Sequence, residues 1–212
     1  MSARKHPSGP LLESFATGVL PLAPGITVSA HVESCDVCSA QVRAFEAAEG
    51  RALDATPPAR LSADAYARVL ARLDEPDAEP SPPPAGLELD GIRLPAAAMR
   101  AGLGPRRWLG PGLWAAPVRA QRIDDWRTFL LRVPAATAIP SHGHRGGELI
   151  AVLAGSFHDG EMFEAGDFAE NAASSDHQLK AGADGPCACL ISTQGRLRWR
   201  GLARMITPLV GI

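Results

Sequence analysis

The sequence predicts a multidomain protein in which a small helical bundle precedes an antiparallel β-barrel of the jelly-roll type. Up to residue 75, apolar residues recur at the spacing of amphipathic helices, whereas after Gly86 they form short runs separated by glycine and proline. A proline-rich stretch between these regions predicts an extended linker. We therefore expect three parts, namely a helical domain over 1–75, a linker over 76–86 and a β-barrel domain over 87–212.

Composition and charge limit the partners of the chain. Its 212 residues, 46% of them hydrophobic, are enough for one large or two small packed domains. A net charge of −2 gives no electrostatic reason to expect direct nucleic-acid binding. No apolar run reaches the length of about 18 residues that suggests a membrane span, and residues 1–10 lack a hydrophobic signal region. We expect a cytoplasmic protein without a membrane partner, and the four cysteines fit a reducing compartment.

Three short helices are expected to form the leading bundle. Ser8 is a candidate N-cap for the first helix, which has Pro10 in its first turn and an apolar stripe that extends to Val19. Helices this short bury little apolar surface. A domain of roughly 50 residues therefore needs a further stabilising feature, such as a bound metal ion that cross-links its segments. The second helix is expected to open at Pro24 and lead to His31, and the third to run from near Cys38 to near Gly50 or shortly beyond.

A fourth helix, predicted from Ser62 to Asp74, lies between proline breaks. Its apolar residues recur at helical spacing and form one stripe, made of Tyr66, Val69, Leu70 and Leu73. The helix could fold back on the first three helices. It could instead present this stripe to a groove on a partner protein, in which case the four residues are partner-binding.

The leading region is organised around His31, Cys35 and Cys38. On a continuous helix His31 and Cys35 would share one face, and the short step to Cys38 lets a turn bring both thiols to one point. Two thiolates and an imidazole suit a tetrahedral zinc ion. A redox cysteine pair, or two buried thiols beside a surface histidine, are the alternatives. The upstream histidine and the lack of a surrounding βαβ pattern favour zinc.

A structural zinc site needs a fourth protein ligand. His6, just ahead of the first helix, is the only other histidine close to this segment in the sequence. We expect His6 to complete the site, because an unfilled position would hold water, which suits catalysis better than a structural role. The bundle would then be stapled by zinc, since the free energy of metal binding adds to that of folding.

The pattern of short apolar or alternating runs in the second half of the chain predicts short antiparallel strands. Asp159-Gly160 predicts a hairpin turn between two of them. Cys187 and Cys189 are two residues apart, so on a strand they share a face, and we expect buried, unreactive thiols. The strands are expected within residues 87–94, 126–133, 149–157 and 188–192, with a further alternating run over 196–200.

A second set of candidate ligands lies within this β half. His142 and His144 would project to the same side of a strand, and a turn through Gly146-Gly147 could return Glu148 towards them. Two imidazoles and one carboxylate form a site for a divalent metal with open positions. His177 could add a third imidazole from another strand. The alternative is that these histidines lie on a solvated strand face.

The two sets of candidate ligands, in this order along the chain, resemble those of the ChrR-type zinc anti-sigma factors of bacteria. The amino-terminal match consists of His6, the segment 11–20 and His31-x3-Cys35-x2-Cys38. The carboxyl half resembles a cupin, a small β-barrel: His142-x-His144-x3-Glu148-x6-Gly155 fits the first cupin motif, and Gly166-Asp167 with His177 approximates the second. The second motif departs from the usual pattern, since it lacks Pro-x-Gly and the final asparagine.

The resemblance implies a regulatory function. The helical domain, including the helix Ser62–Asp74, would be held between the two DNA-binding regions of an extracytoplasmic-function sigma factor and would block its access to RNA polymerase. The cupin would carry the response to singlet oxygen or organic peroxide and end in release of the sigma factor. An alternative from the ligand set alone is a metal-dependent cupin enzyme such as a dioxygenase. The cupin ion could be zinc, iron, manganese or nickel, because three imidazoles and a carboxylate suit each of them.

Overall fold

The computed structural model describes residues 3–73, 88–120, 123–173, 176–195 and 197–199. The expected linker over 76–86 lies outside the described residues, as do Asp74 at the end of the fourth predicted helix and Arg196 and Arg200 in the last alternating run. The domain limits therefore remain a prediction. In the described part of the chain, no helix is long and apolar enough to cross a membrane.

The first four described helices agree with the predicted order and differ at their ends, whereas the fifth lies in the expected β half and was not predicted. Ser8 caps the first helix as expected, because its Oγ accepts a hydrogen bond from the Leu11 amide at 3.4 Å. Val19 was placed on the apolar stripe, but it lies beyond the helix and is 77% exposed. The helices are α1 (Gly9–Ala16), α2 (Leu22–Val32), α3 (Asp36–Asp54), α4 (Ala65–Leu73) and α5 (Ala96–Ala101).

Three of the predicted helix starts are corrected by the structure, and one of them is that of α4, which begins at Ala65 rather than at Ser62. Helix α2 begins at Leu22, so Pro24 lies within its first turn, where proline is tolerated because the backbone N–H has no intrahelical partner. Helix α3 begins at Asp36, two residues before Cys38, and extends to Asp54. The helix ends shortly beyond Gly50, as expected, because one exposed glycine costs a helix only about 1 kcal/mol.

Helix α4 does not pack on the other helices. None of its residues is buried. Its four apolar side chains are largely exposed: Tyr66 at 76%, Val69 at 60%, Leu70 at 44% and Leu73 at 71%. The interpretation in which this helix folds back on the bundle is therefore wrong, and its apolar stripe faces solvent.

The β half contains antiparallel strands that form two main sheets. The larger sheet has six strands in the order β10-β7-β12-β5-β4-β3, and the smaller has the order β11-β8-β9. Among the described residues these sheets do not join into a closed barrel, so the architecture is the open, two-sheet form of the jelly roll. The strands are β1 (Glu88–Leu89), β2 (Ile92–Arg93), β3 (Arg107–Gly110), β4 (Leu113–Pro117), β5 (Trp126–Val133), β6 (His142–Gly143), β7 (Glu148–Ala154), β8 (Ser156–Asp159), β9 (Glu161–Glu164), β10 (Phe168–Asn171), β11 (Lys180–Ala181), β12 (Cys187–Gln194) and β13 (Arg198–Trp199).

Two glycines with positive φ shape the strands near the predicted sites. The run expected over 149–157 is divided into β7 and β8 at Gly155, whose φ is +69°. Gly160, at φ +70°, makes the expected turn between β8 and β9. The strand expected over 126–133 has those bounds in the structure.

The helices and the larger sheet share one apolar core. Val28 of α2 is buried in the same cluster as Leu130 and Leu190 of the sheet. Two buried hydroxyl contacts also cross this boundary, because Ser192 Oγ lies 2.7 Å from Thr27 Oγ1 and Thr128 Oγ1 donates a hydrogen bond to the Ala23 carbonyl at 2.7 Å. Helix α2 is thus fixed on the outer face of the sheet by apolar packing and by paired polar groups.

Two candidate metal centres

The first centre forms where α2 ends and α3 begins. His31 lies in the last turn of α2, which ends at Val32, whereas Cys35 directly precedes α3 and Cys38 lies in its first turn. His31 and Cys35 therefore do not share a helix face, contrary to the spacing argument. The chain reverses between the two helices and brings the imidazole and the thiols together by tertiary structure.

The four predicted ligands of this centre lie close enough to hold one ion. The Nδ1 atom of His6 is 3.4 Å from the Sγ atoms of both Cys35 and Cys38. One ligand atom from each of these residues and from His31 can be chosen so that all four lie within 4.8 Å of one another. A tetrahedral zinc ion with bonds of about 2.0–2.3 Å separates its ligand atoms by about 3.3–3.8 Å. The two His6–thiol distances lie in this range, and the limit of 4.8 Å for all four atoms leaves only a small adjustment, so the four ligand atoms fit such an ion.

The surroundings of His31 support a metal ligand more than an ordinary core histidine. Its side chain is buried, and within the described residues neither ring nitrogen has a hydrogen-bond partner of standard geometry. Burial lowers the pKa of His31 to about 4, although the backbone of Gly166 opposes the shift. The imidazole is thus neutral at pH 7, the form that binds metals, and a coordinate bond would satisfy one nitrogen.

The buried thiol of Cys38 is uncharged as long as no cation is close to it. Burial, followed by the hydrogen bond and the charge interaction with Cys35, raises the pKa of Cys38 to about 12. Such a thiol is a poor nucleophile, because reactive cysteines are those with a lowered pKa. This disfavours the redox-pair interpretation and leaves metal binding as the chemistry that fits both cysteines.

The second centre is enclosed within the β half. His142 belongs to β6, Glu148 begins β7, and His177 is joined to His142 by two backbone hydrogen bonds of 3.1 and 3.0 Å. The Glu148 Oε2 atom lies 3.4 Å from His144 Nε2 and 3.3 Å from His177 Nε2. The structure therefore brings all four predicted residues together, and the solvated-face alternative is wrong because His142, His144 and Glu148 are buried.

Charge at the second centre favours a cation. Burial alone would raise the pKa of Glu148, but hydrogen bonds with His142 and His144 outweigh this effect and lower the pKa to about 2. A hydrogen bond with Glu148 in turn raises the pKa of His144. Three imidazoles around one buried carboxylate suit a divalent ion, which would replace the protons that these groups share without it.

Two residues that hold the ligands of the second centre were missed by the sequence analysis. Asp159 was noticed only as a turn residue, yet its Oδ2 lies 2.6 Å from His177 Nδ1. Asn171 donates from Nδ2 to Glu148 Oε2 at 3.1 Å. Such outer contacts orient metal ligands. A metal-binding motif carries no local signal for them, because they come from other strands.

The remaining cysteines are buried as expected. The Sγ atoms of Cys187 and Cys189 lie 3.5 Å apart on β12. A hydrogen bond with Cys187, followed by burial, raises the pKa of Cys189 well above its ordinary value. The raised pKa makes Cys189 a poor nucleophile, and burial shields both thiols from solvent.

Fold and sites together define a class of protein: a helical region with a His/Cys metal-ligand group, packed on a cupin-type β region with a His/Glu group. Residues 105–196 match the family model described as the ChrR Cupin-like domain. The whole chain is 34% identical over 224 aligned residues to the anti-sigma-E factor ChrR of Cereibacter sphaeroides, with full coverage of both sequences. The chain belongs to the ChrR family.

A solved structure shows the same architecture. The crystal structure of Rhodobacter sphaeroides SigE in complex with the anti-sigma ChrR matches this chain with a TM-score of 0.76 and 32% sequence identity. The match covers 91% of this chain and 99% of that chain. The similarity therefore includes both the helical and the β regions, which agrees with the predicted fold class and family.

Proposed function

We propose that this protein is an anti-sigma factor that binds and sequesters an extracytoplasmic-function sigma factor. The observation that carries the proposal is the full-length similarity to ChrR, which was crystallised in complex with SigE. The proposed partner is a protein, with no direct contact to nucleic acid or membrane. The cupin dioxygenase alternative is not adopted, because the full-length relationship is to a protein that acts by binding.

Helix α4 is the proposed docking element. An amphipathic helix with a solvent-facing apolar stripe is suited to a groove on a partner protein. Its hydrophobic residues are too exposed to stabilise this chain alone, so their burial by a sigma factor would contribute binding free energy. The proposed partner-binding residues are Tyr66, Val69, Leu70 and Leu73.

The first centre is proposed to bind structural zinc through His6, His31, Cys35 and Cys38. Zinc is favoured because two thiolates and two imidazoles form a closed tetrahedral set. The ion would supply a cross-link between the amino-terminal segment, α2 and α3. These residues would then hold the surface of the bundle in the shape that a sigma factor recognises.

The second centre is proposed to hold a divalent ion, either zinc or iron, manganese or nickel, through His142, His144, Glu148 and His177. A bound ion would supply a Lewis-acidic centre inside the cupin. The chain itself fixes the ligands through Asp159 and Asn171 and excludes bulk water by burial. We propose that singlet oxygen or peroxide is sensed here and that the outcome is release of the sigma factor. A cytoplasmic location is part of this proposal and agrees with four free cysteines.

Pairwise co-expression with each extracytoplasmic-function sigma factor of the source genome tests the proposal. We expect one sigma factor to co-purify and to elute with this chain as a single one-to-one peak at micromolar concentration. Replacement of Leu70 by glutamate should abolish the peak, whereas Ala71→Glu, on the same helix but off the stripe, should retain it. Separate elution with every sigma factor would refute the proposed function.

A further inference from the structure

The amino-terminal segment that carries His6 lies on the β region rather than on the helices alone. Asp167, in the loop between β9 and β10, accepts hydrogen bonds at Oδ1 from the backbone amides of Arg4 at 2.8 Å and Lys5 at 3.1 Å. Its Oδ2 accepts from the Glu164 amide at 2.9 Å. The carboxylate is only 3% exposed, so its orientation is fixed and both oxygens are used.

Hydrogen bonds to the β region hold the backbone on both sides of His6. On one side the Phe168 amide donates to the Lys5 carbonyl at 3.1 Å, and on the other the Ser8 amide donates to Glu170 Oε2 at 3.1 Å. His6 itself is exposed, in contrast to the other three members of the centre. Because burial does not fix this imidazole, its place beside the thiols depends on the anchored backbone around it.

The same loop also contacts the second histidine of the first centre. The ring of Phe168 packs edge-on against His31, with 5.6 Å between ring centroids. Both histidines of the first centre therefore depend on contacts with Asp167 and Phe168 of the β region. The two cysteines, by contrast, belong to the α2–α3 connection and the start of α3.

We propose that Asp167 is a positioning residue that places His6 in the first metal centre, so that the cupin half controls the affinity of this centre for zinc. The proposal rests on the proposed metal site of His6, His31, Cys35 and Cys38. Without the Asp167 carboxylate, the segment 4–6 loses two of its backbone hydrogen bonds, while those of Lys5 to Phe168 and of Ser8 to Glu170 remain. The imidazole of His6 is then held less precisely beside the thiols, and its bond to the ion becomes weaker and more readily exchanged.

Cobalt(II) and zinc titrations of the full chain test this proposal. Of the two proposed ligand sets, only the first contains cysteines. Cobalt–thiolate absorption therefore measures metal binding at the first centre and does not change when the second centre binds metal. We expect Asp167→Ala to change this absorption and to weaken zinc binding at the first centre about 10–100-fold, the usual effect of removing an outer contact. Asp184→Ala, a matched control on an exposed loop of the β region, should leave both unchanged.

A double-mutant cycle separates positioning from general destabilisation. If Asp167 acts through His6, the double variant Asp167→Ala/His6→Ala should lose as much zinc affinity as the single variant His6→Ala, and no more. Additive losses, or wild-type zinc affinity in Asp167→Ala, would overturn the proposal. An unchanged cobalt spectrum in His6→Ala alone would instead refute the proposed ligand set. Asp167→Asn, which keeps an acceptor oxygen for the Arg4 and Lys5 amides, should restore part of the affinity if the Ala variant folds poorly.

Discussion

Asn171 donates a hydrogen bond to Glu148 at the end of β10, and Phe168, at the start of the same strand, donates one to Lys5. Four residues of one strand thus connect a ligand of the second centre with the segment that carries His6 of the first. Strand β10 also pairs directly with β7, which begins at Glu148. A displacement of Glu148 could therefore be transmitted through β10 to the amino-terminal segment.

The first prediction concerns the thiol ligands. Cys38→Ser should remove the metal of the first centre and sigma-factor binding together, because the bundle loses the cross-link that orders it. Elemental analysis should show one zinc fewer per chain, and size-exclusion chromatography should show the loss of the complex. Cys187→Ser, a buried thiol remote from the centre, is the control. A Cys38→Ser protein that binds no zinc at this centre but still inhibits the sigma factor would contradict the account.

The second prediction concerns the cupin ligands. Glu148→Gln and His142→Ala should leave the complex with the sigma factor intact, because neither residue belongs to the helical region. The same variants should blunt release by singlet oxygen or organic peroxide. Reporter transcription before and after exposure measures both effects. Loss of sigma-factor binding in these variants, with the fold retained, would contradict this division of labour.

The third prediction concerns the outer contacts of the second centre. Asp159→Asn removes the charge that faces His177 Nδ1, so metal affinity at the second centre should fall about 10–100-fold. Competition with a chelator measures that loss, and cobalt–thiolate absorption from the first centre should remain unchanged. His158→Asn, at an exposed neighbouring position, serves as the control. Equal affinity in Asp159→Asn and the control would show that this contact does not support the metal.

The fourth prediction concerns pH. The pKa of Cys38 is raised to about 12 in the absence of metal, so zinc binding at pH 7 must displace its proton. His31 has a pKa of about 4 and releases no proton at that pH. Zinc affinity should therefore rise with pH across the neutral range, with at least one proton released per zinc bound at the first centre. Calorimetry of His142→Ala in buffers of different ionisation enthalpy measures the release, and none at pH 7 would contradict the prediction.

The fifth prediction concerns helix α4. Leu70→Glu should change the free energy of unfolding by no more than about 0.5 kcal/mol, because Leu70 is 44% exposed and no residue of α4 is buried. Binding to the sigma factor should weaken at least about tenfold if the apolar stripe is buried in the complex. Thermal unfolding and a binding titration test the two parts. Equal binding by Leu70→Glu and Ala71→Glu would exclude the stripe as the contact surface.

Local sequence patterns predicted the parts of each site that are close in the chain. His142 in the short strand β6, His144 directly after it and Glu148 at the start of β7 lie within one short stretch of chain, so their spacing carried the necessary information. The location of His6 beside the thiols could be inferred only from the need for a fourth ligand, because its position depends on contacts more than 160 residues away in the sequence.

For other features, the local sequence pattern did not determine the role. The role of Asp167 and Asn171 follows from how β10 pairs with β7 and meets the amino-terminal segment, and hydrophobic periodicity does not encode such pairings. The stripe on α4 was visible in the sequence, but an amphipathic pattern does not say whether its apolar face is covered by the same chain or by another. In the described part of the chain, no residue of α4 is buried, so the apolar face stays uncovered there.

Native mass spectrometry of the co-purified sigma-factor complex tests the central claim most directly. The account predicts one copy of this chain, one sigma factor and a metal ion at the first centre, with dissociation when a chelator removes that ion. A chain that carries its full complement of metal yet binds no extracytoplasmic-function sigma factor, or a complex that survives metal removal intact, would contradict it.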